Sequence, residues 1–346
     1  MNNKVNFPKN CWYVAATSDE IEAKPLGRIV CGKSMVLFRA AEGQVAALED
    51  FCPHRGAPLS LGTVANGLLV CGYHGMRMNA DGKCAGMAGQ SVEHFRKGIQ
   101  TYPAIERHGY IWVWPGDAAL ANADLIPDLH WARSPDWAFG GGMFHIRCDY
   151  RLLIDNLLDL THETYVHASS IGQPEIEEAA PDTLRKDHHV SVSRFMEDIP
   201  APPFWQDALK GNNLDPDLPV DRWQVCRFSP PGSVMIDVGV AHAGHGGIEA
   251  PVERRASGIV VDLITPETET SCWYFWGMAR NFNVTDLALT DSIRDSQLKI
   301  FTEDLEMLES QQRNLEANPE RRLMSLNIDR GGVEARKILQ ELIASE

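Results

Sequence analysis

The sequence predicts an α+β protein of two units, an all-β unit over residues 1–120 and a mixed α+β unit over residues 121–346. A chain of 346 residues exceeds the length at which one hydrophobic core usually stops growing. Short apolar runs cut by Gly, Pro and Asp fill the first third of the chain, whereas longer periodic runs follow. Between the two parts, "PGDAALANADLIPDLHWARSPDW" has no clear period, which indicates a connecting segment.

The predicted elements differ between the two units. In the first unit, four apolar runs are typical of strands joined by turns: "RIVCGKSMVLFRA", "QVAALEDFC", "LLVCGYHGMRM" and "GYIWVWPGD". In the second unit, helical periodicity covers a stretch around residues 150–168 and a long stretch from about Leu287 to Ala317. Four further runs indicate an antiparallel sheet: "HHVSVSRFME", "GSVMIDVGVAHA", "SGIVVDLIT" and "SCWYFWGMARNF".

The composition is that of an ordinary globular protein, with 44% hydrophobic and 23% charged residues. A net charge of -15 repels phosphate backbones, so we expect no nucleic-acid partner. The N-terminus lacks the features of a secretory signal, and no apolar run reaches the length that a membrane helix needs. We therefore expect a cytoplasmic protein without a membrane partner.

Two short loops each contain one cysteine and one histidine. Cys52 and His54 form a C-x-H pattern, and after sixteen intervening residues Cys71 and His74 form a C-x-x-H pattern. Two thiolates and two imidazoles fit a zinc site, or a [2Fe-2S] cluster with the cysteines on one iron and the histidines on the other. Turns rich in Gly and Pro surround both pairs, so each loop presents one thiolate and one imidazole, which favours the cluster. Four unrelated core residues are the remaining alternative.

A second group of polar residues lies in "DNLLDLTHETYVH", residues 155–167. On a helix, Asn156, Asp159, His162 and His167 fall within one arc of about 140°, opposite a set of leucines. The two histidines are five residues apart, so we expect the helix to end or bulge between them. A solvated helix face is the alternative interpretation. Two histidines beside a carboxylate and an amide instead indicate a mononuclear iron site.

Asp304 is the predicted third ligand of that site. It lies on the apolar stripe of the long C-terminal helix, between Phe301 and Leu308, whereas Glu306 points away. A carboxylate that faces a core needs a partner, and an ion pair with Arg or Lys is the alternative. Together with the two histidines, Asp304 completes the triad that is typical of non-haem iron oxygenases.

On these residues, the chain resembles the oxygenase subunits of the Rieske non-haem iron aromatic oxygenases. The stretches "EDFCPHRGAPLSLG", "DNLLDLTHETYVHASSIG" and "ITPETETSCWYFWGMARNF" look most like the vanillate O-demethylase branch, with dicamba demethylase and toluenesulfonate monooxygenase more distant. The resemblance implies an N-terminal all-β Rieske [2Fe-2S] domain over residues 1–120. It also implies a helix-grip (START-like) α+β catalytic domain over residues 121–346, in which a curved antiparallel sheet wraps a long helix.

The resemblance further implies the roles of the site residues. The expected ligands are Cys52, His54, Cys71 and His74 for the Rieske cluster, and His162, His167 and Asp304 for mononuclear Fe(II). Asp159 matches the family's bridging carboxylate, which would hydrogen-bond His162 of its own chain and His74 of the next subunit in a head-to-tail homotrimer. Asn156 is the second candidate catalytic residue.

The implied reaction is the O2-dependent O-demethylation of an aromatic methyl ether acid, with vanillate giving protocatechuate and formaldehyde as the first expectation. Another aromatic acid, such as a dicamba-like methoxybenzoate or toluenesulfonate, stays open, as does a Rieske electron carrier without a catalytic iron. No G-x-G-x-x-G motif is present, so NADH and flavin are expected on a separate reductase. Four residues are candidates for the substrate's carboxylate, although each also fits an ordinary strand or surface role: Arg222, Arg227, His242 and His245.

Overall fold

The computed structural model describes residues 7–22, 24–87, 89 and 98–346, which divide into two units. The N-terminal unit comprises the described residues up to Asp128, together with Thr265–Glu269 and Glu346. The C-terminal unit comprises Leu129–Ile264 and Thr270–Ser345. The division after Asp128 falls inside the predicted connecting segment, later along the chain than the boundary that we expected at residue 120.

Three antiparallel sheets form the described part of the N-terminal unit. The first has the order β1 (Tyr13–Thr17), β11 (Tyr110–Val113) and β10 (Ala104–Arg107). The second has the order β2 (Leu26–Val30), β3 (Lys33–Arg39), β4 (Val45–Glu49) and β9 (Thr101–Tyr102). The third has the order β5 (Thr63–Ala65), β6 (Leu68–Val70), β7 (Arg77–Met78) and β8 (Cys84–Gly86). All four runs predicted as strands lie in these sheets.

The core of this unit lies directly beneath the two Cys-His loops. Val36 and Phe38 are two residues apart on β3, so their side chains point to the same side of the sheet, where they pack in one cluster with Leu69 of β6. Cys52 and Cys71 belong to the same buried cluster. The loops are thus anchored through their cysteines in an apolar core.

The C-terminal unit contains a large antiparallel sheet of seven strands. Its order is β12 (Ala138–Ile146), β18 (Ser271–Arg280), β17 (Arg255–Thr268), β16 (Ser233–His242), β15 (Val220–Ser229), β14 (His189–Ile199) and β13 (Asp182–Lys186). The four runs predicted as strands correspond to β14, β16, β17 and β18. The predicted combination of an all-β unit with a mixed α+β unit is confirmed.

Six α-helices accompany this sheet in the described residues: α1 (Tyr150–Leu157), α2 (Glu163–Val166), α3 (Glu175–Glu178), α4 (Pro203–Gly211), α5 (Leu287–Ala317) and α6 (Arg330–Ala344). Helix α5 has the predicted bounds, and the Asp286 side chain caps its first turn by accepting from the N–H of Leu289 at 2.9 Å. It packs against β12 and β18, whereas α6 packs against β14 and α1. No helix in the described part of the chain is both long and apolar enough to cross a membrane.

The helix predicted around residues 150–168 is interrupted earlier than expected. Helix α1 ends at Leu157, and α2 begins only after His162, so one break precedes both histidines; α2 then ends at Val166, between the two histidines, as predicted. The Asp159 carboxylate accepts from the N–H of Thr161 at 2.8 Å and from the Thr161 hydroxyl. Such a local bond from side chain to backbone competes with the helical pattern, which accounts for the early end.

Candidate metal centres and catalytic cavity

The two Cys-His loops share one backbone hydrogen-bond pattern. In the first loop, the N–H of Cys52 donates to the carbonyl of Ala57 at 2.9 Å, and that of Gly56 donates to Cys52 at 2.8 Å. In the second loop, Cys71 and Gly75 make the same two bonds at 2.8 and 3.0 Å. The φ angles of the two glycines are 71° and 70°, a left-handed conformation that favours residues without a Cβ. The sequence therefore builds two equivalent ligand loops.

Each loop places its sulfur inside and its imidazole outside. Cys52 and Cys71 are both 2% exposed, while His54 and His74 are exposed with ring centroids 4.6 Å apart. Among the described residues, these four do not form one group whose donor atoms all lie within 4.8 Å of one another. A single zinc ion requires such convergence, whereas a [2Fe-2S] cluster takes the thiolates on one iron and the imidazoles on the other. The arrangement therefore fits the cluster.

A triad of two histidines and one aspartate forms the second centre. Nε2 of His162 lies 3.2 Å from Nε2 of His167, and Oδ1 of Asp304 lies 3.5 and 3.3 Å from these two atoms. Metal-ligand bonds are about 2 Å long, so one ion can reach all three atoms. In the part of the chain that the structure describes, this is the one group of donors close enough to hold an ion. The donor set fits mononuclear iron.

Local structure explains how two histidines five residues apart converge. His162 immediately precedes helix α2 and His167 immediately follows it. Because α2 is a single turn, its two ends present both rings to the same point, which a continuous helix would not do. Asp304 comes from the buried stripe of α5. The predicted triad thus comes together through a break in the predicted helix.

Each ligand of the triad has a supporting contact. Nδ1 of His167 lies 2.8 Å from a carboxylate oxygen of Glu303, and Nδ1 of His162 lies 2.5 Å from the main-chain carbonyl of Asp159. Asn156 donates from Nδ2 to Oδ1 of Asp304 at 3.0 Å. Such partners fix the ring orientations and leave Nε2 of each histidine available to a metal. The sequence interpretation did not include Glu303, although it directly precedes Asp304.

The Asp159 carboxylate was expected to hydrogen-bond His162 of its own chain, and this prediction is wrong. The carbonyl oxygen of Asp159, not its carboxylate, contacts His162, because the carboxylate is held by Thr161 at the end of α1. Asp159 remains half-buried beside the triad. Its side chain is therefore close to the metal site without touching a ligand within the same chain.

The electrostatics of the triad keep its carboxylate ionised. Burial by itself would raise the pKa of Asp304, but the hydrogen bonds with His162 and His167 hold that pKa well below its ordinary value. Burial opposes a charged imidazole, yet Asp304 raises the pKa of both histidines. The carboxylate is therefore ionised at neutral pH and ready to bind a cation.

A cavity lined mostly by apolar side chains adjoins the triad. Ile236 of β16 and Val260 of β17 are paired neighbours on one side, and Phe301 of α5 also lines it. The other apolar lining residues are Leu157, Leu160, Ile171, Phe204, Trp205, Val238, Met278 and Ile300. An apolar cavity with a few polar groups suits a small aromatic ligand.

Of the four candidate carboxylate contacts, only Arg222 lines this cavity. Its guanidinium is already engaged, because it donates to Gln173 at 2.5 Å and to Glu163 at 3.4 Å, and the residue is only 2% exposed. The remaining three, Arg227, His242 and His245, lie outside the lining. Nε of Arg222 is nevertheless buried without a hydrogen-bond partner, and no other Arg or Lys of the described residues lines the cavity.

A [2Fe-2S]-type loop pair in an all-β unit, and an iron-type triad beside an apolar cavity in an α+β unit, define a Rieske non-haem iron oxygenase. Comparison with known proteins agrees. Residues 11–103 match the Rieske [2Fe-2S] domain, and residues 146–345 match the vanillate O-demethylase oxygenase C-terminal domain. The chain belongs to the family of vanillate O-demethylase oxygenase subunits.

Individual relatives cover nearly the whole chain. The vanillate O-demethylase oxygenase subunit of Pseudomonas sp. (strain HR199 / DSM 7063) is 61% identical over 98% of this chain and 96% of its own length. The oxygenase component of dicamba O-demethylase from Stenotrophomonas maltophilia is 33% identical over 98% of both chains. The crystal structure of dicamba monooxygenase bound to 3,6-dichlorosalicylic acid has a TM-score of 0.88 at 32% identity, covering 98% of both chains.

These findings confirm the predicted enzyme class and cofactors. The chain is a Rieske non-haem iron monooxygenase that carries a [2Fe-2S] cluster and a mononuclear iron. It is the oxygenase component of a system whose NADH-dependent reductase is a separate protein.

Proposed function

We propose that this chain is the terminal oxygenase that O-demethylates vanillate to protocatechuate and formaldehyde. The observation that carries the proposal is the triad of His162, His167 and Asp304 at the edge of an apolar cavity, in a chain 61% identical to a vanillate O-demethylase oxygenase subunit. Iron bound by two histidines and one carboxylate activates dioxygen, because this ligand set leaves coordination positions open. The cavity walls exclude water and direct the methoxy group toward that site.

The proposal assigns each site residue a role. The Rieske domain over residues 1–120 holds the cluster through Cys52, His54, Cys71 and His74, and the catalytic domain over residues 121–346 holds iron through His162, His167 and Asp304. Asn156 positions the Asp304 carboxylate through its 3.0 Å hydrogen bond. Glu303 and the Asp159 carbonyl fix the two imidazole rings.

Electron transfer between subunits of a head-to-tail homotrimer is the second part of the proposal. The exposed His54 and His74 stand among exposed apolar side chains, with Phe51 49%, Leu61 77% and Tyr73 62% exposed. In the other unit, a surface groove reaches Asp159 and His162 and is lined by the exposed side chains of Met307, Leu323, Met324 and Ile328. Two apolar surfaces of this kind, one at each metal centre, support docking of one subunit's cluster beside the Asp159 of the next.

A substrate panel tests the proposed reaction. The purified protein, loaded with both metal centres, is incubated with its reductase, NADH and air, and formaldehyde is measured for vanillate, dicamba and toluene-4-sulfonate. We expect vanillate to give formaldehyde and protocatechuate in equal amounts and the fastest turnover. Turnover of the other acids without any reaction of vanillate would contradict the proposal. The cytoplasmic location stays a prediction, which fractionation of the producing cells tests.

A further inference from the structure

Several polar side chains in the cavity wall have unmet hydrogen-bonding capacity, among them Nε of Arg222, Oε1 of Gln224 and the amide of Gln297. Gln297 is only 7% exposed, and it lines the cavity from α5. Its amide Nε2 donates to Sδ of Met278 at 3.7 Å, and among the described residues no other hydrogen bond of this side chain is present. A thioether sulfur is a weak acceptor, and buried amides are normally satisfied. The amide is therefore available for a ligand group inside the cavity.

Gln297 lies at a defined distance from the metal site. It precedes Asp304 by seven residues on the same buried stripe of α5, so two helical turns separate the two side chains by about 10 Å along the axis. Ile300 and Phe301 lie between them on that stripe and line the cavity. Along α5, the cavity thus has the metal site at one end, the Gln297 amide at the other and apolar side chains between them.

We propose that Gln297 binds the carboxylate of the aromatic acid and so sets the distance between the ring and the iron. This inference rests on the proposed function. In vanillate the carboxylate is meta to the methoxy group, so it points away from the triad when the methoxy group faces the triad, and the Gln297 amide can donate to it there. Arg222 also lines the cavity, but two of its three guanidinium nitrogens are held by Gln173 and Glu163.

The first test compares a substrate that has the carboxylate with one that lacks it. Gln297→Leu removes the amide at similar volume, and kcat and KM are measured for vanillate and for 2-methoxyphenol. We expect kcat/KM for vanillate to fall by about 10- to 100-fold, mainly through KM, with little change for 2-methoxyphenol, because a hydrogen bond to a charged group is lost. Equal losses for both substrates would overturn the inference, because they indicate a structural role.

A second variant tests for a change in substrate preference, where the first tests for a loss of activity toward vanillate. Gln297→Glu places a carboxylate opposite the substrate's own, so vanillate should react poorly, while the neutral amide vanillamide should gain relative to the wild-type protein. An unchanged ratio of the two substrates would refute the assignment. Because glutamate and glutamine have the same size, this variant also serves if Gln297→Leu does not fold.

Gln312→Leu is the matched control. Gln312 is also buried on α5, but it already accepts from the N–H of Asp149 at 2.9 Å and lies outside the cavity lining. Its loss should leave the ratio of vanillate to 2-methoxyphenol unchanged. If the wild-type protein fails to demethylate vanillate, the proposed function fails. If it succeeds and the Gln297 variants keep the wild-type substrate ratios, only the present inference fails.

Discussion

Iron binding at the mononuclear site depends on the carboxylate of Asp304. It lies 3.5 and 3.3 Å from the Nε2 atoms of His162 and His167. Asp304→Asn removes the negative charge and keeps the shape, so we expect loss of mononuclear iron and of oxygenase activity with the visible spectrum of the cluster intact. Metal analysis beside absorption spectroscopy measures both quantities on one sample.

Glu306→Gln is the matched control for that substitution. Glu306 is exposed on the same helix, two residues further on, and lines neither the cavity nor the groove. It should retain iron and activity. An Asp304→Asn protein with a full complement of iron would show that the third ligand lies elsewhere.

The predictability of individual residues follows from the kind of signal that each leaves. Asp304 was predictable because a charged carboxylate on an apolar helical stripe indicates a buried partner. Gln297 lies on the same stripe, but a neutral amide gives a weaker signal in the sequence. Glu303 faces a neighbouring direction of the helix, and only the position of His167 gives it a role. Contacts of this kind depend on tertiary packing, which spacing along one helix does not contain.

At the scale of elements, the three consecutive glycines of β12 have a packing role. A Cβ on Gly141 would lie 2.2 Å from the main-chain oxygen of Trp276 in β18, so Gly141→Ala forces the two strands apart. We expect a loss of stability of about 1–3 kcal/mol, measured as a lower midpoint of thermal or denaturant unfolding.

Gly211→Ala provides the comparison for this prediction. The nearest atom to a Cβ at Gly211 is a Leu289 side-chain carbon at 3.5 Å, and Gly211 is the last residue of α4. This change should be neutral or slightly stabilising, because alanine reduces the freedom of the unfolded chain. Equal stability of both variants would contradict the account of β12.

The elements also show where periodicity succeeds and where it fails. The bounds of α5 were predictable because apolar residues recur at helical spacing over many turns, even though polar residues such as Asp304 share the buried face. The end of α1 was not, because the bond from Asp159 to Thr161 is local chemistry that outweighs a continuing leucine pattern. The short length of α2, which ends at Val166, is what allows His162 and His167 to share one ion.

For the whole molecule, the central prediction is cooperation between subunits. Asp304→Asn keeps the cluster and lacks iron, whereas Cys71→Ser keeps iron and lacks the cluster, so each variant alone should be inactive. Co-expressed mixed oligomers should recover part of the activity, because a cluster in one subunit can serve the iron of the next. Mixed oligomers that form but remain inactive would argue against transfer between subunits.

The same mixed oligomers test in which of the two subunits Asp159 acts. Adding Asp159→Asn to the iron-bearing Cys71→Ser subunit should abolish the recovered activity, because the bridging carboxylate lies beside the receiving iron. Adding it to the Asp304→Asn subunit should have little effect. Equal effects in both subunits would remove Asp159 from the electron path.

One chain contains the ligands of both redox centres that O-demethylation requires. A single turnover tests this most directly: the protein is reduced without oxygen, freed of reductant, and mixed with vanillate and dioxygen in the absence of any reductase. A reduced cluster and a ferrous iron, once loaded, would supply the two electrons that one turnover needs, so we predict formaldehyde and protocatechuate in equal amounts, approaching about one of each per subunit. No product from protein with both centres loaded and reduced would contradict the account.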